Sequence, residues 1–328
     1  MSVAVILTVL NEAESLPRLL ASLAAQTRPP DEVVVAEGGS RDATPAVLAA
    51  YARQFAAQGL ALRVVAAPGA NIAQGRNRAI AAATADVIAA SDAGVRLPPD
   101  WLARLTAPFA DPGVNVVAGF FEADPHTVLE TAMGATVLPD LRDVNPATFL
   151  PSSRSVAFRK AAWAAVGGYP EWLDFSEDVL FDLTLRAQFG RFAFVPEARV
   201  LFRPRGSLRA LARQYYQYAR GDGKANLFPR QHAVRYFTYL VVAPLLVYAA
   251  LTVSPWLWLV GLLAGLAYLR LPLRRLWPRL AGLSWPARLL ALAYLPLIRL
   301  VGDVAKLAGY PVGVWWRVSG GRRRRADL

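Results

Sequence analysis

The residue types best suited to chemistry are gathered in short polar segments, which are residues 8–12, 37–42, 75–79, 91–94 and 175–178. Carboxylates in these segments could accept hydrogen bonds from a nucleoside or take the proton of an attacking hydroxyl group. Glycines allow the backbone to turn close to a ligand, and arginines could face a diphosphate. Together they offer what group transfer from a nucleoside diphosphate requires: contacts to the nucleoside, neutralisation of the leaving diphosphate and a proton acceptor.

Each segment also has an ordinary structural interpretation. Asp92 could cap a turn after a buried strand, and Arg76 could lie in a solvated basic turn. Ser176 is placed to be the N-cap of a helix, where Glu177 and Asp178 would suit the positive end of the helix dipole. The same dipole would keep Asp178 ionised, as a general base must be, so both interpretations of this segment are open.

The elements that carry these segments alternate between strands and helices. Short apolar runs predict strands at residues 3–9, 32–36, 62–66, 87–90, 114–121 and 192–195. Helical spacing predicts helices at residues 14–25, 44–57, 72–83 and 207–220. The alternation predicts an α/β fold with a mostly parallel sheet, in which ligands bind at the carboxyl ends of the strands.

Composition excludes several classes of site. The chain has no cysteine and only two histidines, His126 and His232. Disulfides, thiolate zinc sites, a cysteine nucleophile and a histidine-rich metal site are therefore excluded, and any metal ion must be a hard cation bound by oxygen. The formal net charge is +12, but arginines flank apolar segments, which favours anionic lipid headgroups over nucleic acid as the partner.

Several motifs occur in order along the first part of the chain. They are TVLNEAESL, VVVAEGGSRDAT, GRNRAI, ASDAG, VAFRKAAWAAVGGYPEW, SED and QYYQYARGDG, and they cover about residues 1–225. This series resembles the family-2 glycosyltransferases with the glycosyltransferase-A fold. The resemblance implies a Rossmann-like domain, a nucleotide-sugar donor of the UDP or GDP type, Mg²⁺ or Mn²⁺ as cofactor, and inversion at the anomeric carbon.

The resemblance also implies roles for individual residues. Asp178 would be the general base, with Glu177 beside it as a second catalytic candidate. Asp92 would be the first residue of the family's Asp-x-Asp motif, and so the metal ligand. The donor-binding residues would be Thr8, Asn11, Glu12 and Glu37 at the nucleoside, Asp92 at the diphosphate, and Gln214 and Arg220 in a segment that loosely resembles the Gln-Arg-x-x-Arg-Trp motif. Arg76 joins them as the arginine that could face the diphosphate.

The chain departs from the family pattern at three positions. Glu37 replaces the commoner aspartate, which moves the carboxylate by about one bond. Gly94 replaces the second aspartate of Asp-x-Asp, which is often the direct metal ligand, so Asp92 would bind a cation alone, with water and diphosphate completing the shell. Tyr215 takes the first arginine position of the Gln-Arg-x-x-Arg-Trp motif.

Two apolar segments towards the carboxyl end approach the length of a membrane span. Residues 236–253 carry no charge, against the roughly 20 residues that cross a bilayer. Residues 256–269 are shorter, but the following arginine can extend to the interface. We expect a helical hairpin at about residues 236–270 with both ends in the cytoplasm. An interfacial or re-entrant helix would follow at about residues 287–312, because a third crossing would place the arginines of residues 322–325 outside.

These observations predict two regions, a cytoplasmic nucleotide-sugar glycosyltransferase domain at residues 1–225 and a membrane region at residues 226–328. The first residues indicate a buried strand and not a signal peptide, so we expect a multi-pass protein of the cell membrane with its catalytic domain in the cytoplasm. The alternative for the tail is a set of core helices in a soluble domain.

The predicted function is inverting transfer of a sugar from a nucleoside-diphosphate sugar to a hydroxyl or phosphate of a membrane-associated, lipid-linked acceptor in glycan or glycolipid synthesis. The alternative is a non-catalytic nucleotide-sugar-binding or scaffold protein at the membrane. The altered Asp-x-Asp motif favours this alternative, whereas the intact Ser-Glu-Asp segment favours the enzyme. A nicotinamide oxidoreductase is set aside, because residues 11–13 are Asn-Glu-Ala where a Gly-x-Gly-x-x-Gly motif would follow the first strand.

Overall fold

The structure is a computed structural model that describes residues 1–321, so the predicted placement of residues 322–325 lies outside the described residues. The first elements are β1 Val3–Val9, α1 Leu16–Ala24, β2 Glu32–Glu37, α2 Thr44–Ala57, β3 Ala61–Ala66, α3 Ile72–Ala82, β4 Val87–Ala90, β5 Val95–Arg96, α4 Trp101–Thr106 and β6 Val116–Ala123. They are followed by α5 Val128–Val137, β7 Val156–Arg159, α6 Lys160–Ala165, α7 Glu177–Phe189 and β8 Ala193–Phe202. The remaining helices are α8 Leu208–Ala225, α9 Pro229–Phe237, α10 Ala243–Thr252, α11 Leu257–Leu280 and α12 Trp285–Val318.

Eight strands form one sheet in the order β3-β2-β1-β4-β7-β6-β8-β5. Strands β3, β2, β1 and β4 run parallel to one another, and β6 is parallel to β8. Strand β7 is antiparallel to both β4 and β6, and β5 is antiparallel to β8. The predicted α/β fold with a mostly parallel sheet is confirmed, although the sheet is mixed beyond β4.

The core of the sheet explains why β1 reads as a continuous apolar run. Val5 and Leu7 face a cluster that contains Leu20 of α1, whereas Ile6 faces the opposite cluster with Ile80 of α3. Because successive side chains of a strand point to opposite faces, a strand covered by helices on both sides needs apolar residues throughout. Because β1, β2 and β4 run parallel, their carboxyl ends lie at one edge of the sheet.

The chain divides by packing into two compact units. One comprises residues 1–124 and 141–203, and the other comprises residues 125–140 and 204–328. Helix α8 therefore packs with the tail helices, although its sequence belongs to the segment predicted as catalytic. The division by function into residues 1–225 and 226–328 stays a prediction.

In the second unit, two stretches of helix are long and apolar enough to cross a membrane. They are Pro229–Thr252, with a mean hydropathy of 1.6, and Leu257–Leu280, with 1.4, and each has only 6% of its most apolar window buried. The break between them falls at residues 253–256, where the sequence predicted it. The third apolar segment belongs to the 34-residue helix α12, and its interfacial or re-entrant placement stays a prediction.

Helices α8 and α12 approach each other through glycines. A Cβ atom at Gly309 would overlap the backbone carbonyl of Tyr216, and one at Gly313 would overlap the carbonyl of Arg220. In the reverse direction, a Cβ atom at Gly223 would overlap the carbonyl of Tyr310. Small residues at these positions permit backbone contact between the two helices, the arrangement typical of close helix pairs.

Candidate active site

The loops after β1 and β2 are tied together by hydrogen bonds. The Asn11 amide donates to the Ser40 hydroxyl at 2.9 Å, and the Asn11 side-chain oxygen accepts from the Arg41 amide at 2.9 Å. The Glu12 amide donates to the Thr44 hydroxyl at 2.8 Å. Asn11 adopts a left-handed conformation with φ of 56°, which asparagine tolerates better than most residues. Two residues predicted at the nucleoside, Asn11 and Glu12, thus lie in one braced pair of loops.

Glu37, another residue predicted at the nucleoside, closes the turn that follows β2. Its carboxylate accepts from the amides of Gly39, at 3.1 Å, and Ser40, at 2.6 Å. Partial burial alone would raise the pKa of Glu37, but hydrogen bonds from Ser40 and Gly39 outweigh it and lower the pKa. Glu37 is therefore an ionised acceptor, and its carboxylate has further lone pairs for a ligand.

Thr8 lies near the end of β1, where α3 crosses close to the sheet. A Cβ atom at Gly75 would lie 2.9 Å from the Thr8 methyl carbon. The glycine therefore lets α3 pack directly on this part of β1. This packing fixes the position of the residue after it, Arg76, which points into the interior.

Arg76 is buried, with 3% of its side chain exposed, and it bridges two acidic residues from distant parts of the chain. Its Nη1 donates to Glu177 Oε1 at 2.6 Å, and its Nη2 donates to Asp92 Oδ1 at 3.1 Å. The guanidinium carbon lies 5.3 Å from the centre of the Tyr169 ring. Burial opposes the charge of Arg76, but Asp92 and Glu177 raise its pKa overall, so the residue is a fixed cation. The interpretation of Arg76 as part of a solvated turn is wrong.

Asp92 follows β4 and is shared between two arginines. Besides Arg76, the Nε atom of Arg154 lies 3.6 Å from Asp92 Oδ2. Gly94 faces open space, since nothing lies within 4 Å of a Cβ atom built there. Among residues 1–321, no group of three or more histidine or acidic side chains could hold a metal ion. The role of Asp92 as a metal ligand stays a prediction.

The acids at the start of α7 have different surroundings. Glu177 is buried against Arg76; burial, followed by the charge of Asp178, raises the pKa of Glu177 to about 7 although Arg76 opposes the shift. Asp178 is half-buried, and its Oδ1 accepts from the adjacent Val179 amide at 2.9 Å. Ser176, with φ of 62°, occupies the N-cap position, but its side chain does not cap the helix.

Asp182, one turn beyond Asp178, is a further acid of this cluster. Its side chain is buried and its Oδ2 has no hydrogen-bond partner among the described residues. Burial, followed by the charge of Asp178, raises the pKa of Asp182 well above its usual value. Around Arg76, carboxyl groups therefore outnumber the fully buried cation. Glu177 and Asp182 are the two whose pKa burial raises, and Asp178 is the least buried acid of the three on α7.

The structure brings together Arg76, Asp92, Glu177 and Asp178 of the predicted set, and it places Thr8, Asn11, Glu12 and Glu37 at the ends of the neighbouring strands. Gln214 and Arg220 lie on α8, in the second unit. The side-chain oxygen of Gln214 accepts from Arg205 Nε at 3.3 Å, and its amide nitrogen donates to the Tyr218 hydroxyl at 2.7 Å.

Sequence reasoning missed Arg154 and Asp182. Arg154 precedes β7, a four-residue antiparallel strand that its composition did not reveal, so nothing placed the arginine beside Asp92. Asp182 did carry a signal, because a residue four positions after Asp178 on a helix lies on the same face.

Comparison with known proteins identifies the part of the chain that carries Arg76 and Asp92. Residues 4–160 match the family model described as Glycosyl transferase family 2. The succinoglycan biosynthesis protein ExoA of Rhizobium meliloti is 26% identical over 264 residues, which cover 77% of this chain and 79% of that protein.

Solved structures share the fold. The mannosyltransferase PcManGT from Pyrobaculum calidifontis, in complex with GDP-Man and Mn²⁺, matches with a TM-score of 0.58 and 23% identity, over 95% of this chain and 87% of that one. Residues 1–349 of S. aureus TarS match with a TM-score of 0.50 and 17% identity, over 98% of this chain and 92% of that one. The glycosyltransferase-A fold expected from the motifs is confirmed.

Proposed function

Because this chain is a family 2 glycosyltransferase, we propose that it transfers a sugar, with inversion, from a UDP- or GDP-sugar to a lipid-linked acceptor at the membrane. The observation that carries the proposal is the half-buried Asp178 beside the buried Arg76 pair, at the sheet edge where β1, β2 and β4 end. The likeness to a succinoglycan biosynthesis protein supports a place in polysaccharide synthesis.

In this mechanism Asp178 removes the proton of the acceptor hydroxyl. The acceptor oxygen then forms a bond to the anomeric carbon while the bond from that carbon to the diphosphate breaks, so that configuration inverts and the nucleoside diphosphate leaves. Arg76 holds Glu177 and Asp92 in place, because its two terminal nitrogens are each committed to one of them. Asp178 stays available because its side chain is not part of that ion-pair network.

Donor binding falls to the loops after β1 and β2. The proposed contacts from Thr8, Asn11, Glu12 and Glu37 are supported by their common position at the sheet edge and by the bracing of these loops. A pre-ordered loop loses less conformational freedom when it binds a nucleoside.

A divalent cation, Mg²⁺ or Mn²⁺, fits the carboxylate of Asp92 if the diphosphate and water supply the other oxygen ligands, the mode that Mg²⁺ commonly uses. Such an ion would neutralise charge on the leaving diphosphate. We expect Asp92→Ala to weaken donor binding and to remove its metal dependence, as measured by thermal stabilisation with and without Mn²⁺. Donor turnover that EDTA leaves unchanged in the parent protein would contradict the metal proposal.

Membrane attachment is proposed from the two exposed apolar helices, Pro229–Thr252 and Leu257–Leu280. They would form a hairpin whose flanking arginines meet anionic headgroups and which holds the enzyme beside a lipid acceptor, at a high local concentration. The chain has no cysteine of its own, so single cysteines report topology. A cysteine at Ser254 should react with an impermeant reagent from outside, and cysteines at Ser284 and Ser319 should not. Outside labelling at Ser319 would contradict the hairpin.

The function itself is tested by a donor and acceptor screen on the purified full chain. UDP- and GDP-sugars are incubated with bacterial lipid extract or with a water-soluble glycan, and nucleoside diphosphate release and sugar incorporation are measured. We expect lipid extract to raise release and to become labelled. Equal transfer to the water-soluble glycan without lipid would contradict the lipid acceptor, and no turnover with any donor would contradict the enzyme.

A further inference from the structure

The second unit contains a cluster of cations around one acid, which we call the tail cation cluster. Its members are Arg235 at the end of α9, Arg299 and Lys306 on α12, and the acid Asp303, also on α12. Charged groups within largely apolar helices are costly unless they are paired. How each charge is compensated therefore shows whether the cluster only maintains the structure or also receives a ligand.

Both carboxylate oxygens of Asp303 accept hydrogen bonds from neighbouring side chains. Its Oδ1 accepts from Arg235 Nε at 2.8 Å, and its Oδ2 accepts from the Tyr239 hydroxyl at 3.0 Å and from the Tyr268 hydroxyl. The side chain is only 9% exposed. One cation thus compensates the one carboxylate at the centre of the cluster.

The nearest other acid is also engaged. Asp222 Oδ2 lies 3.1 Å from Nε2 of His232, and Nη1 of Arg235 lies 3.3 Å from Nδ1 of the same ring. Because Arg235 can only donate, Nδ1 accepts and Nε2 carries the proton that is donated to Asp222. Among the described residues neither Asp222 nor His232 ion-pairs directly with Arg299 or Lys306, but the negative charges of Asp303 and Asp222 both act on Lys306 through space.

Arg299 and Lys306 instead rest on aromatic rings. The guanidinium carbon of Arg299 lies 5.0 Å from the centre of the Tyr268 ring, and Lys306 Nζ lies 4.4 Å from that of Tyr215. Among residues 1–321, neither side chain pairs with a carboxylate, and the buried Nε of Arg299 has no hydrogen-bond partner. A ring face holds a cation in place but does not neutralise it.

Lys306 remains mainly a cation at neutral pH. Burial, followed by the charge of Arg235, lowers the pKa of Lys306 to about 8. The three cations Arg235, Arg299 and Lys306 face the acids Asp303 and Asp222, so one positive charge is left in surplus, on side chains that the tyrosine rings hold in place. Such a pre-ordered surplus suits a multiply charged oxyanion, because each oxygen can accept from a separate donor.

We propose that Arg299 and Lys306 bind a phosphate group carried on a membrane lipid. The argument for a lipid is that Tyr268, which supports Arg299, and Arg235, which neighbours Lys306 electrostatically, belong to the two helices able to cross a membrane. The inference rests on the proposed function in one respect: if the acceptor is lipid-linked, this site would hold the phosphate of its lipid carrier. The same chemistry is offered by the headgroup of an ordinary phospholipid.

The test uses the purified full chain in phosphatidylcholine nanodiscs. Binding of an isoprenoid monophosphate, of phosphatidic acid and of inorganic phosphate is measured by native mass spectrometry for the parent, for the double variant Arg299→Gln/Lys306→Gln and for Arg53→Gln. Arg53 is an exposed arginine of α2 in the first unit and provides the matched control. We expect the double variant to lose about tenfold or more in affinity for the lipid phosphates, and the control to change by less than about twofold.

Unchanged lipid-phosphate binding in the double variant would overturn the site. Equally tight binding of inorganic phosphate would overturn its assignment to a lipid. Preference for the isoprenoid phosphate supports the acceptor as the source, and equal affinity for phosphatidic acid supports the headgroup. An unchanged melting temperature of the double variant, together with retained binding in Lys306→Arg, would show that binding is lost without misfolding. Donor turnover of the parent is measured separately. If the parent shows no turnover but the double variant still loses lipid-phosphate binding, the proposed function is contradicted and the binding site is not.

Discussion

The two units treat buried charge in opposite ways. Around Arg76, one fully buried cation is surrounded by the acids Asp92, Glu177 and Asp182, with Asp178 close by. In the tail cation cluster, Arg299 and Lys306 join the paired Arg235 around Asp303, with Asp222 as the one further acid that acts on Lys306.

This difference in charge determines what kind of group each region can bind. A surplus of carboxylates can accept a proton or a metal ion, whereas a surplus of cations can accept an anion. Both regions place a tyrosine face beside a cation, Tyr169 against Arg76 and Tyr215 against Lys306. The ring restrains the cation in each case, but of the two cations only Arg76 also has carboxylates within hydrogen-bonding distance. The first region therefore suits the chemical step, and the second suits retention of a negatively charged substrate group.

The largest effect is expected from Asp178→Asn. It removes the proposed proton acceptor with little change of shape, so kcat should fall by roughly 10³-fold or more, whereas donor binding should change by less than about threefold. Steady-state kinetics and thermal stabilisation by the donor measure the two quantities. The control is Asp100→Asn, an exposed aspartate paired with Arg104 on α4. Near-normal turnover of Asp178→Asn would exclude the residue as the base and leave Glu177 as the candidate.

Arg76→Met should strongly destabilise the first unit. The change leaves Glu177 and Asp92 without their shared buried cation, which costs about 3–5 kcal/mol when a buried ion pair loses one partner. Arg104→Met is the matched control, because that arginine pairs with Asp100 at the surface, where removal costs about 0–1 kcal/mol. Melting curves of the two variants measure the difference. Similar melting temperatures would show that the Arg76 pair contributes no more than a surface pair.

Gly309→Ala tests the contact between α8 and α12, which positions Tyr215 and Lys306. The new methyl group would overlap the Tyr216 carbonyl, and overpacking of this kind costs about 1–3 kcal/mol. Gly265→Ala on α11 is the control, because nothing lies within 4 Å of a Cβ atom there, and the higher helix propensity of alanine should leave stability equal or raised by about 1 kcal/mol. If both variants melt alike, the glycines are not needed for helix packing.

The smallest effect is a pH dependence caused by Glu177. Its pKa is raised from 4.5 to about 7, so the folded protein binds more protons than the unfolded chain between these values, and its contribution to stability is lost as pH rises through about 7. Relative to Glu177→Gln, the parent should therefore lose roughly 1–3 kcal/mol over this range. Melting temperatures of both proteins at several pH values measure the difference. A difference that is constant with pH would contradict the raised pKa.

Much of the fold of the first unit could be predicted from the sequence. The runs at β1, β2 and β4 and the helices between them are local patterns, so their bounds agree with the structure to within a few residues. The same patterns place the polar segments at one edge of the sheet, so the sequence alone predicts Thr8, Glu37 and Asp92 as site residues. Their roles in binding stay predictions.

The remaining features depend on contacts between distant parts of the chain. The ion pair of Arg76 and Glu177 joins residues 101 positions apart, and a basic segment considered alone gives no sign of burial. The tail cation cluster was missed for a related reason. Arg299, Asp303 and Lys306 interrupt an apolar segment of the sequence, but on one helix they can gather around residues from α8, α9 and α11.

The central claim, that one region performs the chemistry and the other retains the acceptor, is tested most directly by comparing two variants in a lipid-acceptor transfer assay. We expect Arg299→Gln/Lys306→Gln to raise the KM for the lipid acceptor by about tenfold with little change of kcat, because a contact kept throughout the reaction affects binding alone. Asp178→Asn should lower kcat and leave that KM nearly unchanged. If the double variant instead lowers kcat at an unchanged KM, or Asp178→Asn only raises KM, the division of roles is wrong.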